Sequence, residues 1–219
     1  MLTKRQMTAA AAVLGAVAVL GACGSTSGGG GGAKKLDPAG LVRITARAHT
    51  DRTTTCPLPY DMAKAAGKAG ISGGGKAMTG TDAVTADSMK DAEPDSLSAK
   101  DKGAYLDCGY TVGSEDTRVI TVGSQSTQLQ GSAAAAVFPL AARDARMTTA
   151  QLSAYGKKVL AAAPNTATLT PSGNVAIVNL PATKGSVVVM VSVGDSGHTM
   201  LSAAQMTKLA GALAGQADW

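Results

Sequence analysis

Polar and apolar residues alternate cleanly between residues 104 and 112, which is the pattern of a β-strand with one buried face. The positions on the apolar side are Leu106, Cys108, Tyr110 and Val112, and those on the other side are Tyr105, Asp107 and Thr111. A turn over residues 113–116 and a second strand over residues 117–122 complete the pattern of a hairpin. We therefore expect a first hairpin in the middle of the chain.

Two later runs consist almost entirely of apolar and β-branched residues, from Val175 to Leu180 and from Ser186 to Val193. Strands as uniformly apolar as these usually lie in the middle of a sheet or are covered on both faces. They predict a second hairpin, joined through residues 181–185, that forms the core.

Two helices begin with capping-box sequences, in which Ser or Thr stands three residues before Gln. Thr148 and Gln151 begin the first of these helices, which Pro164 stops, and Ser202 and Gln205 begin the second. Apolar residues then recur at helical spacing, so we expect both helices to pack one face against the sheet.

Three further segments have helical signals. Gly70 stands where a C-terminal cap belongs, which predicts a helix over residues 59–69. Residues 132–147 are helical by composition, but Pro139 must kink this helix or mark the start of its second half. Residues 38–48 fit either a helix or a strand with one basic face, and the helix is slightly favoured.

Residues 72–102 are rich in glycine and then in acidic residues, and they predict a long exposed loop with at most short elements. The order helix, hairpin, helices, hairpin, helix indicates an α+β fold. We expect a single domain built on a mostly antiparallel sheet of four to five strands, with helices packed on one face.

Composition and charge limit the classes of function. The chain holds one Trp, one Phe and four Tyr, so aromatic platforms for sugars or bases are scarce. Without Lys4 and Arg5, which belong to the N-terminal segment described next, 18 basic and 15 acidic residues leave a net charge of +3. This charge is too weak to favour a nucleic-acid partner, which usually needs a clustered basic face.

The N-terminus has the three parts of a secretory signal peptide in order. Lys4 and Arg5 form the positive part, residues 9–20 form an apolar stretch too short to span a membrane, and small residues precede Cys23. The segment Leu20-Gly21-Ala22-Cys23 resembles the lipobox of bacterial lipoproteins. That resemblance implies transfer of a diacylglyceryl group to the sulfur of Cys23 and cleavage just before it.

These features divide the chain into a cleaved signal peptide over residues 1–22, a lipidated cysteine with a Gly/Ser-rich tether over residues 23–35, and a domain over residues 36–219. Two acyl chains on one residue suffice for stable anchoring. We expect the membrane to be a partner through the diacylglyceryl group on Cys23, with the protein on the extracytoplasmic side of the cell membrane. The composition is similar to that of secreted actinobacterial lipoproteins.

Lipidation of Cys23 leaves Cys56 and Cys108 as the remaining thiols in an oxidising compartment. Only one pairing is then available, and we expect a structural disulfide between them. A redox or metal-binding pair is the alternative, but the sequence lacks the short Cys-x-x-Cys spacing and a nearby His.

A short motif raises the alternative of an enzyme. Gly194-Asp195-Ser196-Gly197 resembles the nucleophile motif of chymotrypsin-type serine proteases, and Ala48-His49-Thr50 is similar to the histidine motif of that family. The resemblance implies an anchored serine hydrolase that uses Ser196 with His49 or His198. The sequence departs from the family after the serine motif, and no Asp is identified as the third member of a triad. A turn that ends the preceding strand is the favoured interpretation.

Two groups of side chains contain metal ligands. Asp91, Glu93 and Asp95 alternate as carboxylates in a calcium loop do, but a proline interrupts them and the glycine and terminal glutamate of an EF-hand are missing. His198 and Met200 have the donor atoms that copper prefers. A solvated loop and an ordinary strand end are the favoured alternatives, and no metal or other cofactor is expected.

The sequence shows no convergent set of polar residues, and we therefore expect a non-enzymatic binding or accessory domain of the cell envelope. Its partner is expected to be an envelope protein or a small ligand. An envelope sensor, or an accessory subunit of a membrane partner, is a further alternative beside the hydrolase.

Overall fold

The computed structural model describes residues 37–80, 83–87, 103–125 and 132–217. The predicted signal peptide, Cys23 and the tether lie outside these residues, as does most of the acidic part of the predicted loop. None of the described helices is long and apolar enough to cross a membrane.

The described residues form five helices and seven strands, and the fold has the predicted α+β class. The helices are α1 (Pro38–Thr50), α2 (Met62–Ala69), α3 (Ala133–Asp144), α4 (Thr149–Ala161) and α5 (Ala203–Ala214). The strands are β1 (Gly75–Ala77), β2 (Val84–Asp87), β3 (Ala104–Val112), β4 (Glu115–Ser124), β5 (Ala167–Leu169), β6 (Val175–Leu180) and β7 (Ser186–Val193).

One antiparallel sheet contains all seven of these strands, in the order β1-β3-β4-β7-β6-β5, with β2 also paired to β3. The two predicted hairpins are present as β3-β4 and β6-β7. They join in the middle of the sheet through β4 and β7, where Thr117 lies opposite Val193 and Ser124 lies opposite Ser186. Two local units thus meet along one long central ladder.

The strands β1 and β2 lie one after the other along the same edge of β3. β1 pairs with residues 110–112 and β2 pairs with residues 105–108. Between them, Met78 donates its backbone N–H to the carbonyl of Gly109, and Gly109 donates its own to the carbonyl of Ala83. The edge segment thus leaves its pairing with β3 after Met78 and resumes it at Ala83, both opposite Gly109. β1 and β2 therefore form one edge strand with an interruption.

The sheet has seven strands, whereas four to five are expected from the sequence, and the difference comes from β1, β2 and β5. Each of these has only three or four residues. A run this short does not distinguish a period of two from the irregular pattern of a loop. Two of them, β1 and β2, lie within the predicted loop over residues 72–102, which fits the expectation of at most short elements there.

Helices cover both faces of the sheet, so the expectation of helices on one face is wrong. α1, α2 and α5 pack on one face around Leu106 and Val191, whereas α3 and α4 pack on the other around Ile120 and Met190. The cause lies in β7, where residues 187–191 are all apolar and buried. Because neighbours along a strand point to opposite faces, such a run needs a covering layer on each side.

The helix ends follow the local signals of the sequence. Both predicted capping boxes are formed, by Thr148 with Gln151 at the start of α4 and by Ser202 with Gln205 at the start of α5. Gly70 ends α2 in the left-handed conformation, with a φ of 68°. These three predictions are confirmed.

The segment that fits a helix or a strand forms the helix α1. Its buried side chains include Leu41, Thr45 and Ala48, which share one face only at helical spacing. Pro139 lies on the exposed side of α3, inside a single helix that continues to Asp144.

Candidate functional site

Cys56 and Cys108 form the predicted disulfide, with an S–S distance of 2.02 Å and a Cα–Cα distance of 5.4 Å. Cys108 is fully buried in β3, and Cys56 lies partly buried in the segment before α2. The bond therefore ties this segment to the core of the sheet.

The chain turns sharply where β7 ends, at Gly194-Asp195-Ser196-Gly197. The φ values of Gly194, Ser196 and Gly197 are 74°, 49° and 84°. His198 closes the turn by donating its backbone N–H to the carbonyl of Asp195 at 2.9 Å. A Cβ at Gly194 would lie 2.3 Å from the carbonyl oxygen of His198, so only glycine fits there. The left-handed φ of Ser196 is strained, and strain of this kind concentrates at functional sites.

Four charged side chains form an ionic network beside this turn. Arg118 of β4 donates a hydrogen bond to Asp107 of β3, and its Nη1 lies 4.0 Å from Oδ2 of Asp144 in α3. Arg143 donates from Nε to Oδ1 of Asp144 at 2.9 Å. The side chains of Asp107 and Asp144 are only 8% and 13% exposed. Both carboxylates therefore depend on the arginines to offset the loss of hydration.

The environment of the network shifts two pKa values. Burial alone lowers the pKa of the Arg118 guanidinium, but the hydrogen bond and the charge of Asp107 outweigh it, so the pKa is raised. The hydroxyl of Tyr105 donates to Oδ2 of Asp107 at 3.3 Å. Burial, and then the charge of Asp107, raise the pKa of Tyr105. Arg118 is thus held as a cation, and Tyr105 as a neutral donor.

Asp144 stands in an unfavourable place for a carboxylate. It is the last residue of α3, where the helix macrodipole presents negative charge. Its Oδ2 is buried and accepts no hydrogen bond from the described residues. Asn174 fixes this end of the helix by donating from Nδ2 to the carbonyl of Asp144 at 3.0 Å. Arg143 and Arg118 thus hold this side chain at the end of the helix.

A cavity of about 300 Å³ opens between the ionic network and the turn after β7. Its charged and hydroxyl-bearing lining includes Asp116, Arg118, Arg143, Asp144, Asp195 and Ser196. We call it the ionic cavity. Its volume matches the lower end of the range for small-molecule sites. Because guanidinium groups and carboxylates line it together, it offers both donors and acceptors to a charged ligand.

The ionic cavity contains Ser196 but not the arrangement of a serine hydrolase. Ser196 donates from Oγ to Oδ1 of Asp195 at 2.7 Å. His198 is exposed and pairs with Asp195 through its backbone. His49 lines a different cavity, at the end of α1, where its Nδ1 lies 3.3 Å from the carbonyl oxygen of Ala86. The hydroxyl of Ser196 thus donates within its own turn, to the neighbouring carboxylate, whereas the serine of a triad donates to a histidine.

His198 and Met200, whose donor atoms suit copper, lie exposed in the loop after β7, and Met200 is 69% exposed. Glu115 holds this loop, because its carboxylate accepts the backbone N–H of Met200 and the hydroxyl of Thr199. Within the described part of the chain, no group of three or more His, Cys, Asp or Glu is placed to hold a metal. Asp91, Glu93 and Asp95, which alternate as carboxylates in a calcium loop do, lie outside that part.

The members of the ionic network are not predicted as site residues by the sequence. The sequence contains one sign of this site, because Asp107 and Arg118 are charged residues within otherwise apolar strands. Both lie on the face of the sheet that they share with Ile120. Their meeting with Asp144 depends on strand register and on where α3 ends over the sheet. Register of this kind is not readable from a single run of alternating residues.

Comparison with known proteins finds no matching protein-family model, no matching curated protein and no matching solved structure.

Proposed function

We propose that this protein is a lipoprotein of the cell envelope, anchored on the extracytoplasmic side of the cell membrane by a diacylglyceryl group on Cys23. Residues 36–219 are then its non-enzymatic binding domain. The observation that carries the anchor is Leu20-Gly21-Ala22-Cys23, which follows directly on a positive segment and an apolar one. The Cys56–Cys108 disulfide supports the location, since such bonds persist in oxidising compartments.

The ionic cavity is the proposed ligand site of this domain. Arg143, whose side chain is 60% exposed, can donate hydrogen bonds to an anionic group. Asp116 and Asp195 lie exposed on the same cavity and can accept hydrogen bonds from a cationic group. The ligand that best matches this lining is a small molecule that carries both charges. The left-handed backbone of Ser196 supports this site, because such strain often occurs at ligand-binding turns.

Replacement of the lipidated cysteine tests the anchor. Wild-type protein should incorporate a palmitate analogue and sediment with membranes, and Cys23→Ser should do neither. The matched control is Cys56→Ser/Cys108→Ser, which removes the disulfide but leaves the anchor, and it should still sediment with membranes. Full membrane partitioning of the Cys23→Ser protein would show that the anchor is wrongly assigned.

Native mass spectrometry of protein taken from its own membrane tests the ligand site. A small ligand should accompany the wild type and be lost from Arg143→Ala, whereas Lys208→Ala, an exposed change on α5 at the opposite face of the sheet, should retain it. A ligand that is retained by Arg143→Ala would place the site elsewhere. A serine-reactive fluorophosphonate distinguishes the binding domain from the alternative of a serine hydrolase. Covalent labelling of Ser196 would favour the hydrolase.

A further inference from the structure

The outward face of α1 carries two arginines that are one helical turn apart. Leu41, Thr45 and Ala48 point into the core, while Arg43 and Arg47 are exposed on the opposite side of the helix. Residues four apart are neighbours on a helix surface, so the two guanidinium groups form one positive patch.

Arg47 lies in the last turn of α1, where a positive charge favours the helix, but the stability of the helix does not explain Arg43 or the pairing of the two. Like charges four residues apart weaken a helix, and α1 contains no Asp or Glu. Among the ion pairs between described residues, none involves Arg43 or Arg47. Asp37 lies at the start of α1, where its carboxylate caps the backbone N–H of Gly40. The positive patch is therefore available to an anionic partner.

The helix α1 is also the described element that lies nearest in sequence to the proposed anchor. Fourteen residues lead from Cys23 to Asp37, the N-cap of α1. The tether predicted from the Gly/Ser-rich sequence is expected to span about 20 Å on average. The helix itself is about 20 Å long, at a rise of about 1.5 Å per residue. An anchored chain therefore keeps the positive patch within reach of the lipid head groups.

We propose that Arg43 and Arg47 bind anionic phospholipid head groups, so that the outward face of α1 lies on the membrane that holds the anchor. The proposal rests on the lipid anchor described above and gives the domain a defined orientation. Because α1 and α3 pack on opposite faces of the sheet, the ionic cavity at the end of α3 then points away from the bilayer. It would be open to ligands in the envelope.

The lipidated full-length protein in lipid nanodiscs tests this orientation. A fluorophore is attached at Ala46→Cys, exposed on the outward side of α1, or at Ala154→Cys, exposed on α4. Its quenching by nitroxide-labelled head groups is then measured. In discs that contain phosphatidylglycerol we expect strong quenching at position 46 and weak quenching at position 154. The difference should disappear in discs of phosphatidylcholine alone, and added salt should weaken it.

Neutral substitutions identify the residues responsible. Arg43→Gln/Arg47→Gln should lower the ratio of docked to undocked molecules in anionic discs about 25-fold, from about fivefold for each arginine. The matched control is Lys157→Gln/Lys158→Gln, which neutralises two exposed lysines on α4 and should leave the ratio unchanged.

Two results would overturn the orientation: equal quenching at positions 46 and 154 in anionic discs, or an arginine variant that behaves as the wild type. Failure of the anchor gives a different result. The protein would then separate from the discs during size-exclusion chromatography, whatever their lipid composition.

Discussion

The carboxylate of Glu115 accepts the backbone N–H of Met200, at 3.0 Å to Oε1 and 3.2 Å to Oε2. The same carboxylate accepts the hydroxyl of Thr199 at 3.0 Å. Glu115 is the first residue of β4, so it fastens the loop after β7 to the start of the neighbouring strand. The segment that follows the turn of the ionic cavity is thus held from the middle of the sheet.

Glu115→Ala should release this loop. Its hydrogen bonds have a charged acceptor, and we expect the free energy of unfolding to fall by about 1–3 kcal/mol. Hydrogen exchange at the amide of Met200 should become faster. Asp116→Ala, an exposed change at the next position, should alter stability by less than about 0.5 kcal/mol. Unchanged exchange at Met200 in the Glu115 variant would mean that another contact holds the loop.

Arg118→Met should destabilise the protein, because it leaves Asp107 and Asp144 without their shared cation. Breaking a fully buried pair costs about 3–5 kcal/mol. The side chain of Arg118 is 40% exposed, so solvent screens its ion pairs. We therefore expect the free energy of unfolding to fall by only about 2 kcal/mol. The double variant Arg118→Met/Asp107→Asn should recover part of the loss, since it also removes a buried charge. Chemical denaturation measures the free energy of unfolding of both variants. Equal values would contradict the claim that the buried charge of Asp107 destabilises the protein when Arg118 is removed.

Loss of the disulfide should lower the free energy of unfolding by about 4 kcal/mol, from the entropy of closing a loop between cysteines 52 residues apart. Cys56→Ser/Cys108→Ser and the reduced wild type should therefore unfold at similar denaturant concentrations. Reductant should have no effect on the double variant. Wild-type protein whose unfolding is insensitive to reductant would contradict the contribution assigned to this bond.

All four tyrosines should resist ionisation in the folded protein, because burial raises the pKa of Tyr60, Tyr105, Tyr110 and Tyr155. For Tyr60 burial raises the pKa from 10.0 to about 12, although its hydrogen bond with Thr121 lowers the pKa in part. A raised folded-state pKa means that its contribution to stability is complete below about pH 10 and is lost as the pH rises toward 12. That loss is on the order of 3 kcal/mol for Tyr60 alone.

We therefore expect a single cooperative alkaline transition. Tyrosinate absorbance and the loss of circular dichroism should have the same midpoint in a pH titration. Gradual ionisation of tyrosines before the fold is lost would contradict the burial described for them.

Features with a local cause could be predicted from the sequence. The capping box of Ser202 and Gln205 and the cap at Gly70 depend on residues within one turn of the chain. The hairpin strands β6 and β7 begin and end as predicted, because their apolar runs are bounded by turn residues. The pairing of Cys56 with Cys108 followed from counting the thiols left by Cys23.

Features that depend on distant partners could not be predicted. Val189 and Met190 are both buried, so β7 is covered on two faces. The uniformly apolar sequence of β7 already indicated two covering layers, and the expectation of helices on one face did not take this into account. The ionic network joins β3, β4 and the end of α3, and no local pattern places Arg118 beside Asp144. Short strands such as β5 form because a neighbouring strand supplies the hydrogen bonds, which their own three residues do not indicate.

The edges of the sheet consist of strands of only three or four residues, with β1 and β2 on one side and β5 on the other. Anchored proteins share one plane and meet their own copies often, and a long open edge would let neighbouring molecules pair strand to strand. The break at Gly109 divides one edge into two short pieces, and His49 approaches the outward carbonyl of Ala86 on one of them. For a protein with the lipid anchor proposed above, the interrupted edge would work against strand-to-strand association of neighbouring copies.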